Sequence, residues 1–456
     1  YTGRKLVIPS GLADTPCATL GVQGLLNQLN ATLGTTYSLD DPFLSSLLKD
    51  CIRNGDDFGR TYSYLRRIWY TVDWSTIRDI FWSQQEEDWE KRRKALVGNQ
   101  IVDPDLPPRH RLPPVPISHA WVDEKDRTTV WTPINGYEWP VPIPKDADLN
   151  LIRIELLNLG VEYAWLDVLC LRQVGGWRED LRIEEWKLDV PTIGNVYHEM
   201  EVVIYLTGLG RPLTLNKGDL ESDRSWFRRA WTLQEVGEWR VIAGDTPDGP
   251  LHAECKDGKY ETELLTRFHK QLQCATDAYW EIHKTLEMRT RVSTIPVDKI
   301  AGLTFLMCSR WIPAYYESAS LEDAWTALVH SMHGTCRLEL FLLCPEPGNG
   351  GPKWRPSWDQ VMTKPLLPHQ SINSLDEKGD DDDDLDWCEG ECIDGIVRGL
   401  AAVEGDDRHG EFIVECDDGI NRFKVTAAHT YCCETGGSSS FPVCMHSVQA
   451  NSIALG

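Results

Sequence analysis

The stretch Val161–Leu206 sets the tightest limit on the fold. It reads VEYAWLDVLCL, then a charged loop, then WKLDVPTIGNVYHEM, then EVVIYL. An apolar run bounded by turn signals fits a strand buried on both faces. Val203, Ile204 and Tyr205 bring the β-branched and aromatic residues that suit a second strand. The segment between them is long enough for a parallel crossover. The pattern therefore predicts a βαβ unit of an α/β sheet. The loop after Asp167 would open at the carboxyl end of a strand, where open α/β sheets place ligands.

The flanks divide by pattern. Residues 1–40 are rich in Gly, Thr, Leu and Asn with little period, and read as a surface wrap or a partly disordered start. From Asp41 the pattern turns helical. Leu65, Ile68, Trp69 and Val72 share a face, and Ser75 can cap a helix carrying Ile77, Ile80 and Phe81. The segment EEDWEKRRKAL continues it with charges of both signs, as on an exposed helix. Residues 1–100 are expected to form an N-terminal helical module, and 101–116, dense in proline, a linker. One domain is expected at 117–245. It holds a short strand at Ile117–Trp121, a helix from Asp146 through Leu159 closed by Gly160 and the βαβ unit. A helix RSWFRRAWTLQEV capped by Asp223 and a strand at Glu238–Ala243 complete it. Residues 246–365 read as mostly helical, 366–391 as an acidic linker and 392–456 as a small β-rich tail. In that tail EFIVECDDGINRFKVTAA predicts a hairpin around Asp-Gly.

Charge narrows the partners. The net charge is −24, which argues against general binding to nucleic-acid phosphates. Ten acidic residues and one Lys between Asp376 and Glu391 account for −9 of it, as in a solvated linker. No run of eighteen apolar residues occurs, so no membrane partner is expected. The chain opens on Tyr1 without a basic-then-apolar leader, which leaves room for a segment ahead of it. The 14 Cys are scattered, which suggests reduced thiols of an intracellular protein. Cys388 and Cys392 are spaced as zinc ligands can be, but Cys416, Cys432, Cys433 and Cys444 supply no matched second pair. No metal site is expected.

Phosphate-binding glycine loops, H-E-x-x-H and G-x-S-x-G are all absent from the sequence. Cys170, in an apolar run, reads as a buried, inert thiol. Asp167 is a carboxylate within the same run. Either it pairs with a nearby donor, or it faces a cleft at the strand end. Glu184 and Glu185 open the crossover helix, where they favour the helix dipole. Glu185 also lies at the edge of the apolar stripe of Trp186, Val190, Ile193, Tyr197 and Met200, from which it can lean into a cleft. Trp226, Arg228 and Arg229 are residue types enriched in interfaces. The alternative is that Trp231 is core and the arginines pair with Asp167 or Glu235.

These motifs resemble those of the fungal heterokaryon-incompatibility (HET) domain. Ile117-Ser118-His119-Ala120-Trp121 is similar to its first signature, and Trp165-Leu166-Asp167-Val168-Leu169-Cys170-Leu171-Arg172-Gln173 to its W-[IL]-D-x-x-C-[IL]-x-Q pattern. Val190–Tyr197 with Val202–Leu206 resembles its helix and strand, and Arg229-Ala230-Trp231-Thr232-Leu233-Gln234-Glu235 its closing R-[AGV]-W-T-x-Q-E. The chain departs from the pattern at His119 and Ala120, and no Gly follows Trp121. The resemblance implies a cytoplasmic domain that triggers programmed cell death in non-self recognition, acting through self-association or with other signalling proteins. It also implies distant kinship with Toll/interleukin-1 receptor (TIR) domains, hence a flavodoxin/TIR-like parallel sheet with flanking helices. Some TIR domains cleave NAD with a helix Glu. By position that residue would be Glu185, with Glu184 second, and NAD a candidate substrate. Ser118, Trp121, Asp167 and Gln173 would then line the ligand site. A third reading is an inactive HET-like scaffold or regulator.

Overall fold

A computed structural model describes residues 8–70, 73–102, 114–198, 200–237, 239–257, 259–275, 288–307, 311–332, 336–337, 339–340, 344, 347–351, 355–365, 396–398, 408–416 and 419–427. Val72, most of the proline-rich linker, the acidic run, and Cys388, Cys392, Cys432, Cys433 and Cys444 lie outside them. The chain forms two compact units, Tyr1–Ser320 and Leu321–Gly456.

The centre of the first unit is a four-stranded, all-parallel sheet. Its strands are β1 (Val115–His119), β2 (Ala164–Trp165), β3 (Glu201–Tyr205) and β4 (Trp239–Ile242), in the order β2-β1-β3-β4. Ile117 pairs with Val203, Ser118 with Ile204 and His119 with Tyr205. The two-residue period of a strand splits the core. Ile117, Val203 and Tyr205 face the crossover helix Leu149–Asn158 through Leu149, Ile152 and Leu156. Val202 and Ile204 face the other way, onto Ile193, Tyr197, Trp226 and Phe268.

The predicted βαβ unit is present, with two corrections. Strand β2 is only two residues long, and Asp167–Cys170 is a helical turn. Asp167 is the first residue of that turn, and its carboxylate accepts from the next backbone N–H, that of Val168, at 2.7 Å. Cys170 therefore sits at the end of a turn, exposed, and not in a buried strand. The second crossover helix, predicted between β2 and β3, is broken into Arg182–Asp189 and Ile193–Tyr197. Pro191, which has no N–H to donate, stands at the break.

Elsewhere the local pattern misleads. Residues 1–40 are not a wrap. A helix at Cys17–Leu33 buries Leu25, Leu26, Leu29 and Leu33, and Gly34 ends it at φ 70°. Helices Pro42–Arg53 and Phe58–Arg66 start at the carboxylate caps Asp41 and Asp57. The next helix is Ile77–Ala95, and Asp73, not Ser75, accepts at its entrance. The helix predicted after Asp223 is two short turns, Trp226–Arg228 and Trp231–Leu233. Between them the backbone is extended, because Ala230 and Arg228 bond to Val292. A two-residue hairpin, Cys255–Lys256 with Lys259–Tyr260, precedes the helix Glu263–Cys274 in the region expected to be mostly helical.

The expected boundaries near 100 and 245 do not separate compact units. Arg153 on the crossover helix bonds to Asp14, Asp57 and the Ala13 carbonyl of the helical module. Gln100–Ile101 pairs with Ile312–Pro313. In the second unit, helices Leu321–Ser331 and Trp358–Thr363 bring Trp325 and Trp358 to 5.3 Å. Arg408–Cys416 pairs antiparallel with Gly419–Ala427, the predicted hairpin register around Asp-Gly. Among the described residues no helix is long and apolar enough to cross a membrane.

Candidate functional site

The end of β1 gathers residues from distant parts of the chain. Ser118 is fully buried. Its hydroxyl donates to Glu235 Oε2 at 2.6 Å and accepts from the Trp226 indole N–H at 2.7 Å. One residue on, alternation turns His119 to the other face, where its Nε2 bonds to Asp167 Oδ1 at 2.8 Å. Trp121 donates to the other oxygen of Asp167 at 2.7 Å and stacks on His119 with ring centroids 5.9 Å apart. Tyr197 donates to the Ile117 carbonyl between them.

Electrostatics follow from burial and pairing. Burial opposes charge on both His119 and Asp167, yet their mutual attraction and hydrogen bond outweigh it. The histidine pKa stands above its usual value and the carboxyl below. Glu235 instead has the Ser118 hydroxyl as its hydrogen-bond donor. Burial pushes it up to about 7, against the Ser118 hydrogen bond and the positive charges of His119 and Arg291. A second buried carboxyl, Asp298, is pushed by burial to about 6 despite the hydroxyl of Tyr315 at 2.8 Å.

Comparison with protein-family models, curated proteins and solved structures gives no match for this chain.

The nominated ligand residues divide. Trp121 and Asp167 meet, Ser118 lies on the other face of β1 with Glu235 and Trp226, and Gln173 turns back to the Leu171 carbonyl at 2.8 Å. Glu185 stands apart, held by Arg172 through Nε at 2.8 Å and a second nitrogen at 3.3 Å. Arg172 in turn lies over the Trp139 ring and donates to the Trp177 carbonyl. Glu184 is exposed and pairs with Lys187 at 2.7 Å. A cavity of about 250 Å³ lies against the Ile117 face, lined by residues such as Tyr62, Ile152, Leu156 and Leu166. Neither Glu185 nor any nominated ligand residue lines it.

The interface residues are also placed differently. Trp226 is 1% exposed and belongs to the core and the cluster, because its indole N–H needs the buried Ser118 oxygen. Arg228 bonds to Asp223 and to the Glu221 carbonyl, and Arg229 to the Asp223 carbonyl, so neither pairs with Asp167 or Glu235. The buried Arg291 instead ties the Trp226–Leu233 turns together through Arg229 O and Thr232 Oγ1. Sequence reasoning did not nominate Glu235, Tyr197 or Arg291. The first lay in a recognised motif, but its partner Ser118 is 117 residues away.

Ser118 and Asp167 are fully engaged, while the buried Nδ1 of His119 has no hydrogen-bond partner among the described residues. Ser118 is closed to substrate, and both oxygens of Asp167 are occupied. Among the described residues no group of three or more His, Cys, Asp and Glu side chains could hold a metal ion.

Proposed function

We propose that this chain is a HET-like signalling protein of fungal non-self recognition, acting in the cytoplasm and triggering cell death by self-association. One observation carries the reading. The residues of three separated motifs fasten in two polar groups on the two faces of β1, Ser118 with Trp226 and Glu235 on one and His119 and Trp121 with Asp167 on the other. The strand order β2-β1-β3-β4 supports the flavodoxin-like, hence TIR-like, form of the domain. The role of the two groups is to fix the ends of β1 and β2 and the turns before β4, which gives a rigid platform for assembly.

The NAD-cleaving alternative asks Glu185 for a free carboxylate in a cleft, as carboxylates serve in glycoside cleavage. Its bidentate bond to Arg172 favours the signalling reading instead. Induced expression in a filamentous fungus tests the proposal. Growth arrest and death are expected with the wild-type chain, and survival with Asp167→Ala. Harmless wild-type expression sinks the proposal in favour of an inactive scaffold. Nicotinamide release from NAD that is lost in Glu185→Ala replaces it with the hydrolase.

A further inference from the structure

The helix Ile77–Ala95 carries an unusual surface. It is 19 residues long, about 28 Å. Ile77 and Ala95 bury its two ends, at 1% and 2% exposure. Arg92 pins one edge by an ion pair to Asp189 at 2.7 Å. The opposite face is open. Trp82 is 72% exposed and Trp89 47%. Seven residues apart, they lie two turns apart on one stripe. Glu86 and Arg93 follow them by four residues each, so Trp82, Glu86, Trp89 and Arg93 share about 60° of arc.

We propose that this face binds a second copy of the same chain, helix against antiparallel helix. Charge selects the occupant and the direction. Four of the five residues Glu86–Glu90 are acidic, and Lys91–Lys94 are all basic. A parallel copy sets Glu86 against Glu86 and Arg93 against Arg93, which repels. An antiparallel copy with its two-fold axis between Trp89 and Glu90 sets Glu86 of each chain against Arg93 of the other. The two Trp89 rings then meet near the axis, and Trp82 of each chain lies toward the carboxyl end of the other helix. Glu86 has no ion pair among the described residues, so its charge is available. Arg93 pairs with Glu90 while 77% exposed, and a surface pair of that kind yields readily. The exposed indole surface of two copies comes to roughly 600 Å², a large part of what a modest stable interface buries. The inference deepens the self-association reading and rests on it for its biological meaning.

Sedimentation of the purified full chain over a hundredfold range of concentration tests the surface. A monomer–dimer equilibrium that weakens with salt is expected. The double variant Trp82→Ala/Trp89→Ala should weaken it at least tenfold while circular dichroism and Tm stay near wild type. Glu86→Arg should weaken it, and Glu86→Arg with Arg93→Glu should restore it. A wild-type chain that stays monomeric, or that instead pellets with phosphatidylcholine vesicles, overturns the inference. So does a dimer indifferent to loss of both tryptophans, or a charge swap without rescue. Dimerisation as described with harmless expression in the fungus keeps the surface and removes the signalling function. Cell death by a double variant that cannot dimerise keeps the function and removes this surface from it.

Discussion

Glu235→Gln should make the protein more stable, and only at neutral to alkaline pH. In the unfolded chain Glu235 ionises at its ordinary value of 4.5, whereas burial in the fold moves that to about 7. Between those values the folded state binds more protons than the unfolded, so stability falls as pH rises. Below about 4.5 both states are protonated and the term vanishes. Above about 7 it is fully expressed, and at about 1.4 kcal/mol per tenfold change in proton affinity it reaches about 3 kcal/mol. Glutamine keeps an oxygen to accept from Ser118 and cannot ionise. Urea unfolding of both proteins at pH 5 and pH 8 reads the effect as the difference between the two pH dependences, with groups distant from residue 235 common to both. At pH 5 the two should agree within about 1 kcal/mol. At pH 8 the variant should be more stable by about 2–3 kcal/mol. Parallel pH profiles, or a variant weaker at pH 8, would show that Glu235 is not held as an acid between the sheet and the Trp226 turn.

Other perturbations read other joints of the fold. Asp167→Asn replaces an acceptor of three donors, His119, Trp121 and the Val168 N–H, with a group that must turn its own N–H₂ toward one of them. A loss of about 2–4 kcal/mol is expected, and NMR titration should find the His119 pKa lower than in wild type. Arg153→Ala removes the part-buried bonds to Asp14 and Asp57 and leaves both carboxyls without that donor. A cost of about 3 kcal/mol and faster proteolysis of the 8–70 module should follow. Gly237 sits at φ 66°, and a Cβ there would meet Val202 on β3 and the Met200 carbonyl just before it. Gly237→Ala should lower thermal stability by about 2–3 kcal/mol, measured by calorimetry.

What sequence could reveal here depends on the reach of each interaction. Strands β1 and β3 are legible because Ile117 and the Val202–Tyr205 run are apolar on both sides, which burial between two helical layers requires. The crossover helix is legible from Leu149, Ile152 and Leu156 at helical spacing. The segment 223–236 is not, because its backbone bonds run to Val292, some sixty residues on, and local periodicity cannot register a distant partner. The amino-terminal helix carried the signal in Leu25, Leu26, Leu29 and Leu33. Its Gly, Thr and Asn content hid it, and Gly21 at φ 65° kinks it. In the site, Ser118, Trp121 and Asp167 are recognisable residue by residue, but the pairing of Ser118 with Glu235 is a property of the folded sheet. Glu185 shows the converse. Its helix position invites a catalytic role, and Arg172, thirteen residues earlier, occupies it.

Full engagement of Ser118 and Asp167 bears on what such a domain can do. A catalytic carboxylate or hydroxyl must keep a lone pair or a proton for substrate, in a place substrate can reach. Ser118 gives its proton to Glu235, takes one from Trp226 and is sealed from solvent. Asp167 spends its oxygens on His119 and Trp121 at the carboxyl ends of β1 and β2, and on the backbone turn that follows. Polar groups paired in this way favour one arrangement of the strand ends over its alternatives, since a slip breaks the bonds of Ser118 and Asp167 together. The residue types that look catalytic in the sequence thus act here on the register of the sheet. On that argument, substitutions in the cluster should fail first in stability, and those on Trp82 and Trp89 first in assembly.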